Sequence, residues 1–245
     1  MKKEADYDTI GGLFENFTDT AAQRAVEIRT LMHMAGDVEG LHVLDLACGY
    51  GFFGRELLKK GAASVVGVDI SAKMIELAQE ESRKQGDNIE FHVRNVCELE
   101  SLGQFDMVMA AWLFNYAESL SDLQKMFQAV ARNLKPGGRL VAYTVEPDFQ
   151  LSQGNFTTYG VHVRTEEPWQ GGFRHQAEFV TTPPSPFTFF RWSRQDYEQA
   201  IAAAGLSQVH WQKPLLLESD IKRYTPGFWD TFQNNCLQTG LNCRH

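Results

Sequence analysis

Residues 43–54 read VLDLACGYGFFG, and this stretch decides the fold. The apolar residues Val43 and Leu44 predict a buried strand. Glycines at positions 49, 51 and 54 follow with the spacing G-x-G-x-x-G, which predicts a tight turn and then a helix over residues 52–60. A strand, a glycine turn and a helix in this order are typical of α/β folds that bind nucleosides or dinucleotides.

An acid beside the turn narrows the class of ligand. Asp45 ends the predicted strand, where its carboxylate would repel a pyrophosphate held by the turn. S-adenosylmethionine (SAM) carries a sulfonium and an α-ammonium group, and the helix N-terminus can still hold its carboxylate. Asp45 therefore favours SAM over NAD as the cofactor.

A second acid follows at the end of the next predicted strand. Residues 65–71 read VVGVDIS, and Asp69 stands twenty positions after Gly49. A carboxylate there can accept hydrogen bonds from both hydroxyls of a ribose. Asp69 could instead only cap the helix that follows. Two acids that each end a buried strand are a more specific signal than the glycines.

Residues 43–145 resemble the class I SAM-dependent methyltransferase family. Five segments carry the resemblance in order, namely VLDLACGYG, VVGVDIS, FHVRNVCEL, FDMVMAAWLFNYA and LKPGGRLVAYT. Ala47 stands where the family usually has glycine, and Asn95 where it usually has an acid. The resemblance implies a Rossmann-like α/β fold with a seven-stranded, mostly parallel sheet, an antiparallel last strand and helices on both faces. It also implies SAM as cofactor, with S-adenosylhomocysteine (SAH) as the product.

The resemblance implies cofactor contacts from several segments of the chain. The residues concerned are Tyr7, Phe17, Arg24, Asp45, Ala47, Gly49, Asp69, Ile70, Met74, Asn95, Val96 and Ala111. Tyr7 and Phe17 would border the methionine end from a lid over residues 1–20, and Arg24 would pair with the cofactor carboxylate. Ile70, Met74, Asn95 and Val96 would surround the adenine. The aromatic residues near the N-terminus could instead pack the first helix, and Met74 could belong to the core.

Candidate acceptor-binding residues follow the predicted fourth strand. Trp112, Asn115 and Tyr116 would lie at the carboxyl edge of the sheet, where open α/β sheets bind ligands. An aromatic wall there suits a sulfonium or a flat acceptor, although tryptophan is also common in cores. Tyr7 and Trp192 are possible partners of Trp112.

The sequence contains no legible Ser-His-Asp or Cys-His constellation. Methyl transfer from a sulfonium mainly requires the protein to position the acceptor and to exclude water. If a base is needed, His175 and Glu178 are the candidates, although residues of these types are more often surface groups.

Three further segments, residues 7–30, 110–117 and 226–240, are similar to the N-methyltransferases that act on 7-azapteridines in toxoflavin biosynthesis. This resemblance implies a small planar pyrimidotriazine acceptor that is methylated on a ring nitrogen. Two alternatives stay open: O-methylation of a phenol or quinone, and a SAM-binding module without turnover.

The composition limits the remaining possibilities. A length of 245 residues suits one domain, with an insertion at 146–190 on the substrate side and an aromatic tail at 214–245. The tail would cover the sheet or close the active site, and the final strand is expected at residues 206–211.

A net charge of −8 argues against nucleic acid as a partner. No apolar run reaches membrane-spanning length and no signal-peptide core is legible, so we expect a cytoplasmic protein that does not bind a membrane. The four cysteines lack C-x-x-C spacing, which predicts neither a metal site nor disulfides.

Overall fold

The computed structural model describes residues 21–245. The main sheet contains seven strands: β1 His42–Leu46, β2 Ser64–Asp69, β3 Glu90–Val93, β4 Phe105–Ala111, β5 Leu134–Val145, β9 Ser207–Gln212 and β10 Gln238–Arg244. They lie in the order β3-β2-β1-β4-β5-β10-β9. Strand β10 runs antiparallel to both of its neighbours, and the other pairings in this sheet are parallel. This confirms the predicted Rossmann-like class I architecture.

Helices cover both faces of the sheet. The longer helices are α1 Arg24–Ala35, α2 Phe52–Lys59, α3 Ala72–Gln85, α4 Leu120–Asn133 and α5 Arg194–Ala203. Successive residues of a strand point to opposite faces. Accordingly, Val43 packs in a core cluster with residues of α1 and α2, while Leu44 packs in a cluster with residues of α4 and α5. Strand β1 is thus buried on both faces, as its continuous apolar run predicts.

A second sheet lies within the region that we predicted as an insertion. It contains β6 Val161–Trp169, β7 Gly172–Phe179 and β8 Ser185–Arg191, paired antiparallel in the order β6-β7-β8. The apolar side of this sheet packs against the C-terminal tail in one buried cluster that contains Phe179, Phe189, Trp229 and Phe232. The tail carries two short helices, α6 Glu218–Lys222 and α7 Asp230–Asn234.

The prediction of the final strand was wrong. Residues 207–212 do form a strand, but β10 follows it, enters the main sheet from the tail and separates β9 from β5. Its sequence, QTGLNCR, has few β-branched or aromatic residues and therefore gives a weak strand signal. Pairing on both sides and burial stabilise it instead. Within residues 21–245, no helix combines the length and apolar character that crossing a bilayer requires.

Candidate functional site

The turn between β1 and α2 is held in a conformation that favours glycine. Ala47, Gly49 and Gly51 have φ angles of 56°, 53° and 83°, in the left-handed region. The Gly49 amide donates a hydrogen bond of 2.8 Å to Oδ2 of Asp69, which ties the turn to the end of β2. The glycine spacing in the sequence therefore reflects backbone geometry at this turn.

Asp45 lies beneath this turn and is only 1% exposed. Its Oδ2 accepts a hydrogen bond of 3.1 Å from the Gly54 amide in α2. Burial raises the pKa of Asp45 to about 7, and the nearby Asp69 carboxylate adds to the rise while the Gly54 amide opposes it. Asp45 is not among the residues that line the neighbouring cavity, so it supports the turn from below.

Asp69 lies at the end of β2 and lines the cavity. Besides the Gly49 amide, it accepts a hydrogen bond of 2.9 Å from the Ser71 amide to Oδ1. Ser71 in turn caps α3 by accepting from the Met74 amide at 3.1 Å. A carboxylate has about four acceptor sites. Asp69 can therefore hold the turn and also accept hydrogen bonds from hydroxyl groups of a ligand.

A cavity opens beside this turn, at the carboxyl edge of the main sheet. Its volume is about 1030 Å³, a figure that includes the part open to solvent. Nine of the residues predicted from sequence line it: Arg24, Ala47, Gly49, Asp69, Met74, Ala111, Trp112, Asn115 and Tyr116. The predicted cofactor residues and acceptor residues thus meet in one space.

A buried ion pair fixes the orientation of Trp112. Nε1 of Trp112 donates a hydrogen bond of 2.7 Å to Oε1 of Glu27, and Oε2 of Glu27 lies 3.1 Å from the Arg24 guanidinium. The guanidinium also lies 4.3 Å from the ring centre of Phe52. Burial would lower the pKa of Arg24, but the charge of Glu27 and the contact with Tyr50 outweigh it and raise the pKa. Arg24 therefore remains cationic.

Glu27 was not predicted from the sequence. It is 5% exposed and lines the cavity from α1. The helix α1 has little amphipathic pattern, so the sequence alone did not show that Glu27 is buried.

Trp112 leaves β4 with an unusual backbone conformation. Its φ angle is 63°, which is rare for a bulky residue. The Trp112 amide donates to the Tyr143 carbonyl at 2.7 Å, and the two rings meet edge to face at 5.3 Å. Strained backbone of this kind is common at ligand sites. Trp112 is half-buried and lines the cavity.

The far wall of the cavity comes from the second sheet and the tail, and sequence reasoning did not identify it. Residues 161, 179, 187 and 189 of the sheet line the cavity together with Val145, Leu237 and Gln238. Phe179 and Phe187 stack at 4.2 Å. The segment was predicted to approach the substrate, but the pairing register that brings these rings together depends on contacts distant in sequence.

Three predicted acceptor or base residues do not line the cavity. Trp192 is buried in the core with α4 and α5, and its Nε1 donates to the Ala117 carbonyl at 2.9 Å. His175 is also fully buried, stacked on Phe189 at 4.5 Å and hydrogen-bonded to Glu166 at 2.9 Å. Burial lowers the pKa of His175, although Glu166 opposes this. The prediction of Trp192 as an acceptor contact and of His175 as a base is therefore corrected.

Glu178 is likewise unsuited to the role of base. Successive residues of β7 alternate between faces, so Glu178 lies on the side opposite the cavity residue Phe179. Its carboxylate pairs with Arg164 and contacts His162. Desolvation would raise the pKa of Glu178, but these two partners outweigh it and lower the pKa.

Of the four residues predicted around the adenine, Met74 lines the cavity, whereas Ile70, Asn95 and Val96 lie beside it. Ile70 is 49% exposed at the edge of the sheet. The Arg94 amide donates to the Asp69 carbonyl at 2.9 Å, which brings the turn after β3 next to Asp69. In that turn Asn95 accepts from the Cys97 amide at 3.0 Å, and Val96 is buried. Tyr7 and Phe17 lie outside the described residues. Within residues 21–245, no group of three or more His, Cys, Asp or Glu side chains is arranged to hold a metal ion.

Residues 43–138 match the family model described as a methyltransferase domain. This part of the chain is therefore similar to a methyltransferase domain, and the fold is that of the class I SAM-dependent methyltransferases. A curated relative, the ubiquinone biosynthesis O-methyltransferase of Coxiella burnetii, is 34% identical over 114 residues, which are 46% of this chain and 47% of that protein. The demethylmenaquinone methyltransferase of Lactococcus lactis is 34% identical over 161 residues, 63% of this chain and 60% of that protein. The chain thus spans about half the length of the first relative and 60% of the second.

A solved structure extends the similarity in fold over almost the whole chain. The SAM-dependent methyltransferase from Mesorhizobium loti superposes with a TM-score of 0.64 at 20% identity, and the match covers 93% of this chain and 100% of that one. At this identity the likeness establishes the fold. Activity and acceptor depend on the residues of the site.

Proposed function

We propose that this protein is a SAM-dependent methyltransferase that acts on a ring nitrogen of a small planar heterocycle. One observation carries the proposal: a single cavity joins the turn at Gly49 and Asp69 to the aromatic wall at Trp112 and Phe189. A methyl donor at the first end and a flat acceptor at the second would share one space. Proximity and orientation then supply much of the rate.

The polar end of the cavity fits SAM. Asp69 would hold the ribose hydroxyls, and Arg24 the carboxylate of the methionine part. The carboxylates of Glu27 and Asp69 favour a ligand with positive charges and disfavour a pyrophosphate. Gly49, Ala47, Met74 and Ala111 would contact the cofactor along the wall, and Ile70, Asn95 and Val96 would contact the adenine from beside it. Asp45 would affect cofactor binding indirectly, by supporting the turn. On the resemblance alone, we also propose that Tyr7 and Phe17 border the methionine end of SAM.

When bound, SAM supplies a methyl group activated by its sulfonium. The residues of this chain have the task of orienting the acceptor and excluding water. Trp112, fixed by Glu27, provides a flat surface for a planar ring, and Tyr116 continues the wall. An electron-poor heterocycle loses a ring proton readily, so ionisation in solution can replace a protein base.

The proposed acceptor is a pyrimidotriazine of the 7-azapteridine type. The resemblance on which this rests includes residues 226–240, and residues of that segment contribute to the cavity region. Leu237 and Gln238 line the cavity, while Trp229 packs behind its aromatic wall. A flat, mostly apolar wall of this kind suits a planar polycyclic ring.

O-methylation of a phenol or quinol is the second candidate, because a similar curated protein is named a ubiquinone biosynthesis O-methyltransferase. Both candidates can be tested with isotopically labelled SAM and two acceptors, an unmethylated pyrimidotriazinedione and a catechol. We expect label on a ring nitrogen of the first compound, located by NMR. Labelling of the catechol alone would overturn the heterocycle proposal. SAH binding without transfer to either acceptor would favour a SAM-binding module.

A further inference from the structure

Two carboxamide side chains in the cavity have unmet hydrogen-bonding capacity. Asn115 is 2% exposed and Gln23 is 6% exposed, and both line the cavity. The amide oxygen of each is buried without a hydrogen-bond partner among the described residues. Buried polar groups are nearly always hydrogen-bonded, so two exceptions in one cavity indicate a partner that enters from outside the protein.

The fold holds Asn115 in a defined position. It lies in the short 3-10 turn Phe114–Tyr116 that follows Trp112. The neighbouring Phe114 is fully buried and stacks on Phe127 of α4 at 4.2 Å. This packing anchors the turn, so Asn115 meets a ligand with little loss of conformational freedom. Gln23 immediately precedes α1 and approaches the cavity from a different element.

Two other polar groups of the cavity are already engaged. Oε1 of Gln238 accepts a hydrogen bond from the Tyr143 hydroxyl at 3.1 Å. Glu27 is occupied by Arg24 and Trp112. The remaining wall toward the second sheet is made of phenylalanine rings and aliphatic side chains. Gln23 and Asn115 are therefore the groups best placed to give a flat ligand its orientation.

A carboxamide side chain complements the lactam or imide edge of a ring. It has an acceptor oxygen and a donor NH2 group, and a lactam or imide presents a ring N–H beside a carbonyl. A phenol or quinol ring has no N–H beside a carbonyl and offers hydroxyl groups instead.

We propose that Gln23 and Asn115 recognise the lactam or imide edge of the acceptor ring and so select amide-bearing heterocycles over phenols and quinols. This inference rests on the proposed function and adds to it the residues that determine specificity. Both side chains are assigned a positioning role, because neither exchanges a proton with the reacting atoms.

The experiment uses the full chain saturated with SAH and two probes with the same ring system. Lumazine carries imide and lactam N–H groups, and 1,3-dimethyllumazine lacks both. Calorimetry should show that lumazine binds about ten-fold or more tightly than its dimethyl analogue, as expected when buried polar groups lose their partners. Asn115→Leu and Gln23→Met should each remove most of this preference and leave the affinity for the dimethyl analogue unchanged.

The affinity for SAH serves as the internal control. Its retention in Asn115→Leu and Gln23→Met shows that the variants are folded and that the polar end is intact. Equal affinity of the wild type for the two lumazines, including no binding of either, would overturn the inference, as would unchanged preference in both variants. Failure of the wild type to bind SAH would instead overturn the proposed function. The two lumazines are then compared without SAH, so that the inference is still decided.

Discussion

The two ends of the cavity are built in different ways. The end at Asp69 comes largely from one continuous region, residues 45–74, in which a strand, a turn, a helix and a second strand follow one another. The end at Phe189 combines residues from β4, β5, the second sheet and the tail. Local sequence therefore determines the first end, whereas the second end exists only when distant segments have packed together.

The chemistry differs in the same sense. At the first end, carboxylates and backbone amides hold one another, as in the contacts of Asp69 with Gly49 and Ser71. At the second end, buried rings form the wall and also belong to a core cluster, so binding surface and folding core are the same side chains. A substitution should thus affect binding and stability separately at the first end and together at the second.

The largest effect is expected for Phe189→Ala. The Phe189 ring is 1% exposed and stacks on the buried His175 at 4.5 Å. Removing it should lower the free energy of unfolding by about 3–5 kcal/mol, because a cavity remains in the cluster. Urea denaturation measures this. Phe187→Ala is the matched control: Phe187 also lines the cavity but is only half-buried, so the loss should be smaller. Equal, small losses for both would show that the aromatic wall is not part of the core.

The second prediction concerns the pH dependence of stability at the first end. The pKa of Asp45 rises from 3.8 to about 7 on folding, so the folded state favours the protonated form. The stability gained from this group is present at low pH and is lost as the pH rises toward 7. Between pH 5 and pH 8 the wild type should lose about 2–3 kcal/mol of unfolding free energy relative to Asp45→Asn, which cannot titrate.

Urea denaturation of both proteins across this pH range measures the difference. The asparagine oxygen can still accept the hydrogen bond from the Gly54 amide, so the turn is preserved. A difference in stability that stays constant with pH would show that the Asp45 carboxylate is compensated in the folded state.

Much of the first end could be predicted from the sequence. The hydrogen bonds at this end join residues that are close in the chain, such as Ser71 and Met74, or that lie at neighbouring strand ends, such as Gly49 and Asp69. Their side chains meet because parallel strands end at one edge of the sheet. Asp45 was predicted to favour a cationic ligand directly, and its burial beneath the turn could not be derived from the spacing alone.

The second end was predicted only in outline. The insertion was predicted to lie on the substrate side, but the face on which each side chain lies depends on the pairing register. Trp192 was predicted to contact the acceptor but is a core residue. The sequence did not show this, because its hydrogen-bond partner Ala117 is 75 positions away in the chain. Strand β10 was missed because its stability derives from pairing with β5 and β9 and not from local propensity.

A third prediction tests whether the first end binds independently of the second. Asp69→Ala should weaken SAH binding by roughly 1–3 kcal/mol through loss of the hydrogen bonds to the ribose. Calorimetry on protein shown to be folded by circular dichroism measures this. Asp69→Asn keeps one oxygen acceptor and should lose less. Unchanged SAH affinity in Asp69→Ala would contradict the assignment of Asp69 to the ribose.

The smallest expected effect concerns Ala47, whose φ angle of 56° lies in the left-handed region. A residue with a Cβ is strained there by about 1 kcal/mol, and glycine removes that strain. Glycine also makes the unfolded chain more flexible, which offsets about 0.4–1 kcal/mol of the gain. Ala47→Gly should therefore change the free energy of unfolding by no more than about 0.5 kcal/mol. Ala202→Gly is the matched control, because Ala202 is exposed in the helix α5 and should lose about 0.5–1 kcal/mol. Equal losses for the two variants would mean that Ala47 is unstrained. A clear difference would show that the left-handed backbone conformation of this turn favours glycine at position 47.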